Sequence, residues 1–253
     1  MIQPPMPDTK KLPLLLVDRG SLPEFVLLPG DPARAAAIAS RLEGAEELAY
    51  NREYRTFVGE HDGIRIAVVS TGVGASGAAV AFEEAIMAGA TTLIRVGTTG
   101  SLQDAVKTGD LIVATAAVRN DGVADQLLPV EFPATADLNV SGSLIEAARS
   151  CQARFHCGVV GTVGAFYKGQ LDLGLEWMSQ AGVLSIEMEC ATLFVVAALR
   201  SVRAGAILAV DGDAREASGG EYDPHREVVR RAVSQEIDIV LEAVRRLAKP
   251  DGS

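Results

Sequence analysis

Histidine and cysteine are scarce in this chain. His61, His156 and His225 stand far apart, and no serine, histidine and aspartate fall into a hydrolase pattern. Cys151, Cys157 and Cys190 lack the spacing of a metal site, and no phosphate-cradling GxxxxGK[ST] loop occurs. No metal and no cofactor are therefore expected, and the cysteines read as reduced thiols of a cytoplasmic protein. Basic residues are also in short supply. There are 23 lysines and arginines against 33 acids, a net charge of −10, which argues against nucleic acid as a partner. An anionic ligand must then be captured by local arginines, not by the overall field. Long hydrophobic runs are missing too: charges interrupt the 48 % hydrophobic content too often for a bilayer span, so no membrane partner is expected. The first twenty residues hold an apolar run of about five among prolines and charges, unlike a signal peptide.

Short apolar, β-branched runs alternate with helical patterns along the whole chain. The strand candidates are Phe25–Leu28, Ile64–Val69, Leu93–Val96, Leu111–Val118, Cys157–Val163, Val183–Ile186 and Ala206–Val210. Their hydrophobicity is continuous instead of alternating, as in strands covered on both faces. Helices are expected near Pro32–Leu42, Ser76–Ala88, Gly142–Arg149, Asp172–Ala181, Glu189–Arg200 and Arg226–Leu247, the last amphipathic with its arginines and glutamates outward. Residues 211–224 form the one long polar loop, a lid or a disordered stretch. No repeat or linker breaks the pattern, which reads as a single α/β domain over residues 1–253, with 1–22 an N-terminal extension and a candidate for a subunit interface.

Four features fall at carboxyl ends of these strands, where open α/β sheets bind ligands. Gly30-Asp31-Pro32-Ala33-Arg34 ends one strand and opens a helix with an arginine in its first turn, which favours an anion. Arg95 interrupts an apolar strand and is followed by Gly97-Thr98-Thr99-Gly100, read as an N–H-rich turn. Taken alone, this stretch fits either an oxyanion site or a tight turn with a snorkelling arginine. Ile186-Glu187-Met188-Glu189 carries two acids at a strand–helix junction; the helix dipole accounts for one, and the other suits a hydroxylated ligand. Asp211 tips a very apolar strand, where desolvation would raise its pKa and suit it to donate a proton. Phe166 offers either a stacking face or a core aromatic.

Arginines for an oxyanion, carboxylates for hydroxyls and an aromatic face describe a phosphate, a ribose and a base. The motifs LPGDPAR (Leu28–Arg34), NREYRTF (Asn51–Phe57), TGVGASG (Thr71–Gly77), RVGTTGSLQ (Arg95–Gln103), EFPATAD (Glu131–Asp137) and SIEMECATL (Ser185–Leu193) resemble those of the nucleoside phosphorylases. That family includes uridine phosphorylases and hexameric-type purine nucleoside phosphorylases. The resemblance spans nearly the whole chain and implies a three-layer α/β/α fold with a mixed central sheet. It implies that phosphate, a co-substrate, is held by Gly30, Arg34, Arg95 and Thr98, joined by Arg52 from a neighbouring subunit. Met188 and Glu189 would hold the ribose. Thr99, Phe166, Gln170, Ile186, Glu187 and Asp211 would surround the base, with Arg95 and Asp211 catalytic. A shared Arg52 makes a dimer the minimal unit, and the resemblance implies a hexamer of three dimers.

The base is the open choice. Uridine phosphorylases resemble Gln-x-Arg where this chain has Gln170-Leu171-Asp172, so the uracil-reading arginine is replaced by Asp172. Val210-Asp211-Gly212 looks like the purine type, in which the aspartate meets N7 of the leaving base. Both differences favour 6-oxopurine nucleosides such as inosine or guanosine. RVGTTGSLQ and EFPATAD look closer to the uridine type. The family's N-terminal histidine for a neighbour's 5′-hydroxyl is missing, with apolar Leu14–Leu16 in that region, which opens the way to 5′-deoxy or 5′-methylthio sugars. A nucleosidase of the same fold, using water, would not need three guanidiniums.

Overall fold

The apolar runs build one ten-stranded sheet in the computed structural model, which describes residues 10–167, 169–215 and 225–249. β1 (Phe25–Leu28) leads into α1 (Pro32–Ala39). A hairpin of β2 (Glu43–Asn51) and β3 (Tyr54–His61) continues into β4 (Ile64–Val69) and α2 (Ala75–Met87). β5 (Thr92–Ser101) and β6 (Leu111–Asn120) are followed by α3 (Ala124–Leu127), β7 (Ala134–Thr135) and α4 (Leu138–Ser150). β8 (Phe155–Val163), α5 (Leu175–Gln180), β9 (Ser185–Glu187), α6 (Cys190–Arg200), β10 (Arg203–Asp213) and α7 (Glu227–Leu247) complete the order.

The strands run β10-β6-β8-β9-β5-β1-β4-β3-β2, and β10 also pairs with β5. Five strands therefore close on themselves, and β1 to β4 extend from the ring. The sheet is mixed: β1–β4, β1–β5, β5–β10, β6–β8 and β8–β9 are parallel, while β2–β3, β3–β4, β5–β9 and β6–β10 are antiparallel. Helices cover it with two apolar cores. One gathers Phe82 of α2 and Phe194 of α6 with Val26 and Leu93; the other gathers Ile38 of α1, Leu144 of α4 and Val240 of α7 with Val96 and Ile207. Among the described residues, no helix is long and apolar enough to cross a membrane.

Several boundaries differ from the sequence reading, each for a local reason. Gly97–Gly100 is not a turn: it belongs to β5, which β10 borders as far as the pair Ser101–Asp213. The strand candidates omitted the β2–β3 hairpin because β2 (EGAEELAYN) is polar and almost wholly exposed, with no apolar alternation to betray it. Its glutamates guard an edge strand. Helix α4 starts at Leu138 instead of Gly142, since the Asp137 carboxylate accepts from Asn139 N and Val140 N and caps it there. Asp211–Asp213 extend β10, so the expected loop begins later, and positions 216–224 lie outside the described residues. Residues 10–22 of the expected extension are anchored in the chain's own core: Leu12 and Leu15 are fully buried, and Glu84 accepts from Leu14 N and Leu15 N.

Candidate active site

β5 changes neighbours partway along one edge. β1 pairs with it as far as Leu28–Arg95, and β9 takes over at Ile186–Gly100. Between them the edge from Val96 to Thr99 faces neither strand. A split of this kind leaves backbone groups and side chains turned toward a ligand instead of a ladder. Gly30 flanks the split. Its carbonyl accepts from Gly72 N at 3.0 Å, and a Cβ on it would meet Gly72 O at 3.1 Å, so a side chain there would push apart the β1–α1 and β4–α2 loops. Asp31 caps α1 by accepting from Ala33 N, with Pro32 behind it, and this capped first turn carries Arg34. The half-buried Arg34 reaches the Val96 carbonyl at 3.5 Å, a marginal hydrogen bond that places its guanidinium at the split. Half-buried Thr98 lies on the same stretch.

Arg95 leaves the buried strand and folds back over Gly97, where a Cβ would stand 2.8 Å from the guanidinium carbon. The glycine is thus required by the arginine and not by a turn. Arg95 Nε donates to Glu187 at 3.0 Å, and Nη2 pairs with Glu189, while Nη1 is uncommitted among the described residues. Burial works against the arginine's charge, yet Glu189 and Glu187 outweigh it and hold Arg95 protonated more firmly than usual. Glu189 sits at the start of α6 and accepts from Gly74 N at 2.5 Å. Burial pushes its carboxyl up, with Arg95 opposing and Glu187 reinforcing the rise.

Glu187 differs from its expected place at the base. Its side chain is 0 % exposed, and it accepts from Arg95 Nε, Thr162 Oγ1, Glu189 N and Cys190 N. It ties the arginine to the start of α6, and no oxygen faces a ligand. Thr162, which the sequence reading passed over, also accepts from Ala191 N. A lone hydroxyl in the apolar run VVGTVG was its only signal.

Asp211, Thr99 and Ile186 fall at the far end of the split. Val210 pairs with Thr99 and Gly212 with Gly100, so Asp211 is the bulged residue between them and is buried beside the β5 threonines. Its carbonyl accepts from Arg226 Nη2 at 2.8 Å, a contact that no residue pattern anticipated. Thr99 Oγ1 donates to the Ile186 carbonyl, joining β5 to β9. Half-buried Ile186 and Met188 pack against the small cluster of Leu102, Val163 and Met178. Phe166 is 55 % exposed and meets Tyr167 edge to face. Gln170 is exposed on a cavity of about 530 Å³ that also takes in Asp172 and Arg215. Asp172 accepts from Gly174 N and so shapes the turn before α5. Arg52 makes no recorded contact with Arg34 or Arg95 among the described residues. It occupies the exposed β2–β3 hairpin turn in a left-handed conformation, φ 55°, next to Glu53, whose stem packs against Gly72.

Comparison with known proteins identifies the family. The chain is 44 % identical over 203 residues to a uridine phosphorylase of Thermococcus kodakarensis, covering 76 % of this chain and 73 % of that one. It is 37 % identical over 237 residues to a guanosine phosphorylase of Halorubrum lacusprofundi, covering 92 % and 98 %. The fold superposes on a purine nucleoside phosphorylase of Toxoplasma gondii in complex with immucillin-H at a TM-score of 0.91 and 33 % identity, covering 96 % and 98 %. A sequence model of the phosphorylase superfamily matches residues 24–245, and the chain belongs to that superfamily.

Proposed function

We propose that the chain is a pentosyltransferase that cleaves the N-glycosidic bond of ribonucleosides with inorganic phosphate, giving free base and ribose 1-phosphate. The observation that carries this reading is the open edge of β5, with Arg34 and Arg95 at one end and the Arg95-bound carboxylate of Glu189 beside it. In the proposed reaction phosphate lies among Gly30, Arg34, Arg95 and Thr98, with Arg52 contributed by a neighbouring subunit of a dimer or a hexamer of dimers. Glu189, held by Arg95 and Gly74 N–H, is oriented in advance to accept from the ribose hydroxyls, with Met188 under the sugar. A phosphate oxygen bonds to C1′ as the C1′–N bond breaks, and the base takes the electron pair. Asp211 supplies the proton that neutralises it. The three cysteines are unpaired thiols, in keeping with a cytoplasmic location.

For the base, the reading is a 6-oxopurine. Asp211 is buried beside Thr99, and Asp172 is used by Gly174 N–H, so it is no cation for a uracil edge. One observation favours uridine instead: Arg215 lines the same cavity as Gln170 and sets a guanidinium beside an amide. Arg215 is bound by Asp213 and Asp104, which lowers its value as a base reader. Base release from inosine and from uridine, each with and without phosphate, tests both readings. Cleavage with water alone would replace the phosphorylase by a nucleosidase.

A further inference from the structure

Helix α7 was expected to turn its arginines and glutamates outward, and one glutamate does the opposite. Glu236 falls on the same stripe as Val229, Ala232, Val240 and Ala243, and it is 0 % exposed. The helix packs against β5 and β10 at this level. Neither carboxyl oxygen has a hydrogen-bond partner of normal length and angle, although the Gly97 and Ala209 N–H groups are near enough to favour its charged form. An orphaned carboxyl in a core is expensive when ionised and rarely kept without use.

The surroundings indicate what that use is. The charges that act on Glu236 are Arg34 of α1 and Arg95 of β5, the two guanidiniums of the proposed phosphate site. From β10 and β5 it meets backbone N–H groups of Ala209 and Gly97. The other helix packed along α7 is α4, whose Glu146 and Arg149 pair with each other at an exposed face. Glu236 therefore lies within electrostatic reach of both arginines, on the helix packed against β5 and β10. Burial is the main influence on it and pushes its carboxyl up to about 8, with Arg34 and Arg95 opposing. Such a group changes charge in the range where an enzyme of this kind would work.

We propose that Glu236 is a positioning residue that couples anion binding at the Arg34–Arg95 site to proton uptake. As a neutral acid it makes no claim on either guanidinium, so Arg34 and the uncommitted Nη1 of Arg95 can serve the phosphate. As a carboxylate it competes for them and repels the incoming dianion. Arrival of phosphate draws a proton from solvent onto Glu236, and departure of the anion releases it. The inference rests on the proposed function for the identity of the anion.

The test uses sulfate, whose charge does not change between pH 6 and 9, in place of phosphate. Calorimetric titration of the full-length protein, in two buffers of different ionisation enthalpy, counts protons taken up with sulfate. The wild type should take up a fraction of a proton near pH 8 and bind sulfate about tenfold more weakly at pH 9 than at pH 7. Glu236→Gln should flatten both responses, and in turnover it should change KM for phosphate more than kcat. Glu236→Met, which cannot titrate or hydrogen-bond as an amide does, should flatten them equally, which separates lost titration from lost folding. Proton uptake and pH dependence that persist in both folded variants would overturn the coupling. A wild type that binds sulfate in this proton-linked way but shows no phosphate-dependent cleavage would overturn only the proposed function.

Discussion

The guanidinium of Arg95 lies across Gly97, so close that a Cβ on residue 97 would be 2.8 Å from its central carbon and 2.9 Å from Nη2. The neighbours a methyl would strike are not free ends of a flexible side chain, because Glu187 and Glu189 fix this guanidinium from the far side. Gly97→Ala should therefore displace Arg95 while leaving β5 paired with β10. We expect kcat/KM for phosphate to fall on the order of 10- to 100-fold, as a misplaced anchoring group commonly does. Steady-state kinetics checks this, with circular dichroism to confirm the fold. Unchanged kinetics would mean that the observed pose of Arg95 is not the working one.

Glu187 concerns stability before chemistry. Its enclosed carboxylate answers Arg95, Thr162 and the first amides of α6 together. Glu187→Ala leaves a buried guanidinium with half its partners and should cost about 3–5 kcal/mol in unfolding free energy. Denaturant melts read the loss directly. A variant of wild-type stability that merely changed base preference would return Glu187 to the base site.

Asp211 is buried at the β10 bulge beside Thr99, and in the proposed reaction it protonates the leaving base. Asp211→Asn keeps the size and removes the proton. We expect kcat on inosine to fall on the order of 100-fold or more with KM for phosphate little changed. If the variant turned over inosine like the wild type, the acid role would be lost.

Arg52 is exposed on a hairpin turn, which suits a residue that serves a neighbour. Arg52→Ala and Glu189→Ala should each be nearly inactive alone. Subunits mixed under dissociating conditions and reassembled should regain about a quarter of the activity per site, since random pairing restores one intact site in half of the dimers. Activity that stays flat across mixing ratios would argue that each chain completes its own site.

What the sequence revealed and what it hid follow from how each residue announces itself. Arg34 in a proline-started helix, Arg95 in an apolar strand and two acids at the β9–α6 junction are charges where apolar residues belong, and all lie at the split of the sheet. The extended conformation of Gly97–Gly100 was hidden because glycine pairs look like turns; what required the glycine was a side chain two residues earlier on the same face. The role of Glu187 was hidden because one carboxylate can complement a helix start or a ligand, and only the hydrogen bonds to Thr162 and Arg95 decide. Glu236 was hidden among the charged residues of an amphipathic helix. Its i, i+4 spacing from Ala232 and Val240 was the available clue.

The same buried acid should leave a signature in the pH dependence of folding. Glu236 is held near 8 in the native state against an ordinary 4.5, so the native state binds its proton more tightly than the unfolded chain does. Below about pH 4.5 the group is neutral in both states and makes no demand on the fold. As pH rises from there the unfolded chain ionises first, and stability is lost progressively until the native carboxyl ionises too, near pH 8. The full loss is on the order of 4–5 kcal/mol, taking about 1.4 kcal/mol for each unit of difference. Glu189, raised in the same direction by burial, adds to the same trend. Glu236→Gln removes only its own share, so the comparison to make is the difference between variant and wild-type unfolding free energies from pH 5 to pH 9. That difference should move in favour of the variant across this range and level off above about pH 8. Parallel curves would mean that the carboxyl is no more reluctant to ionise in the fold than out of it.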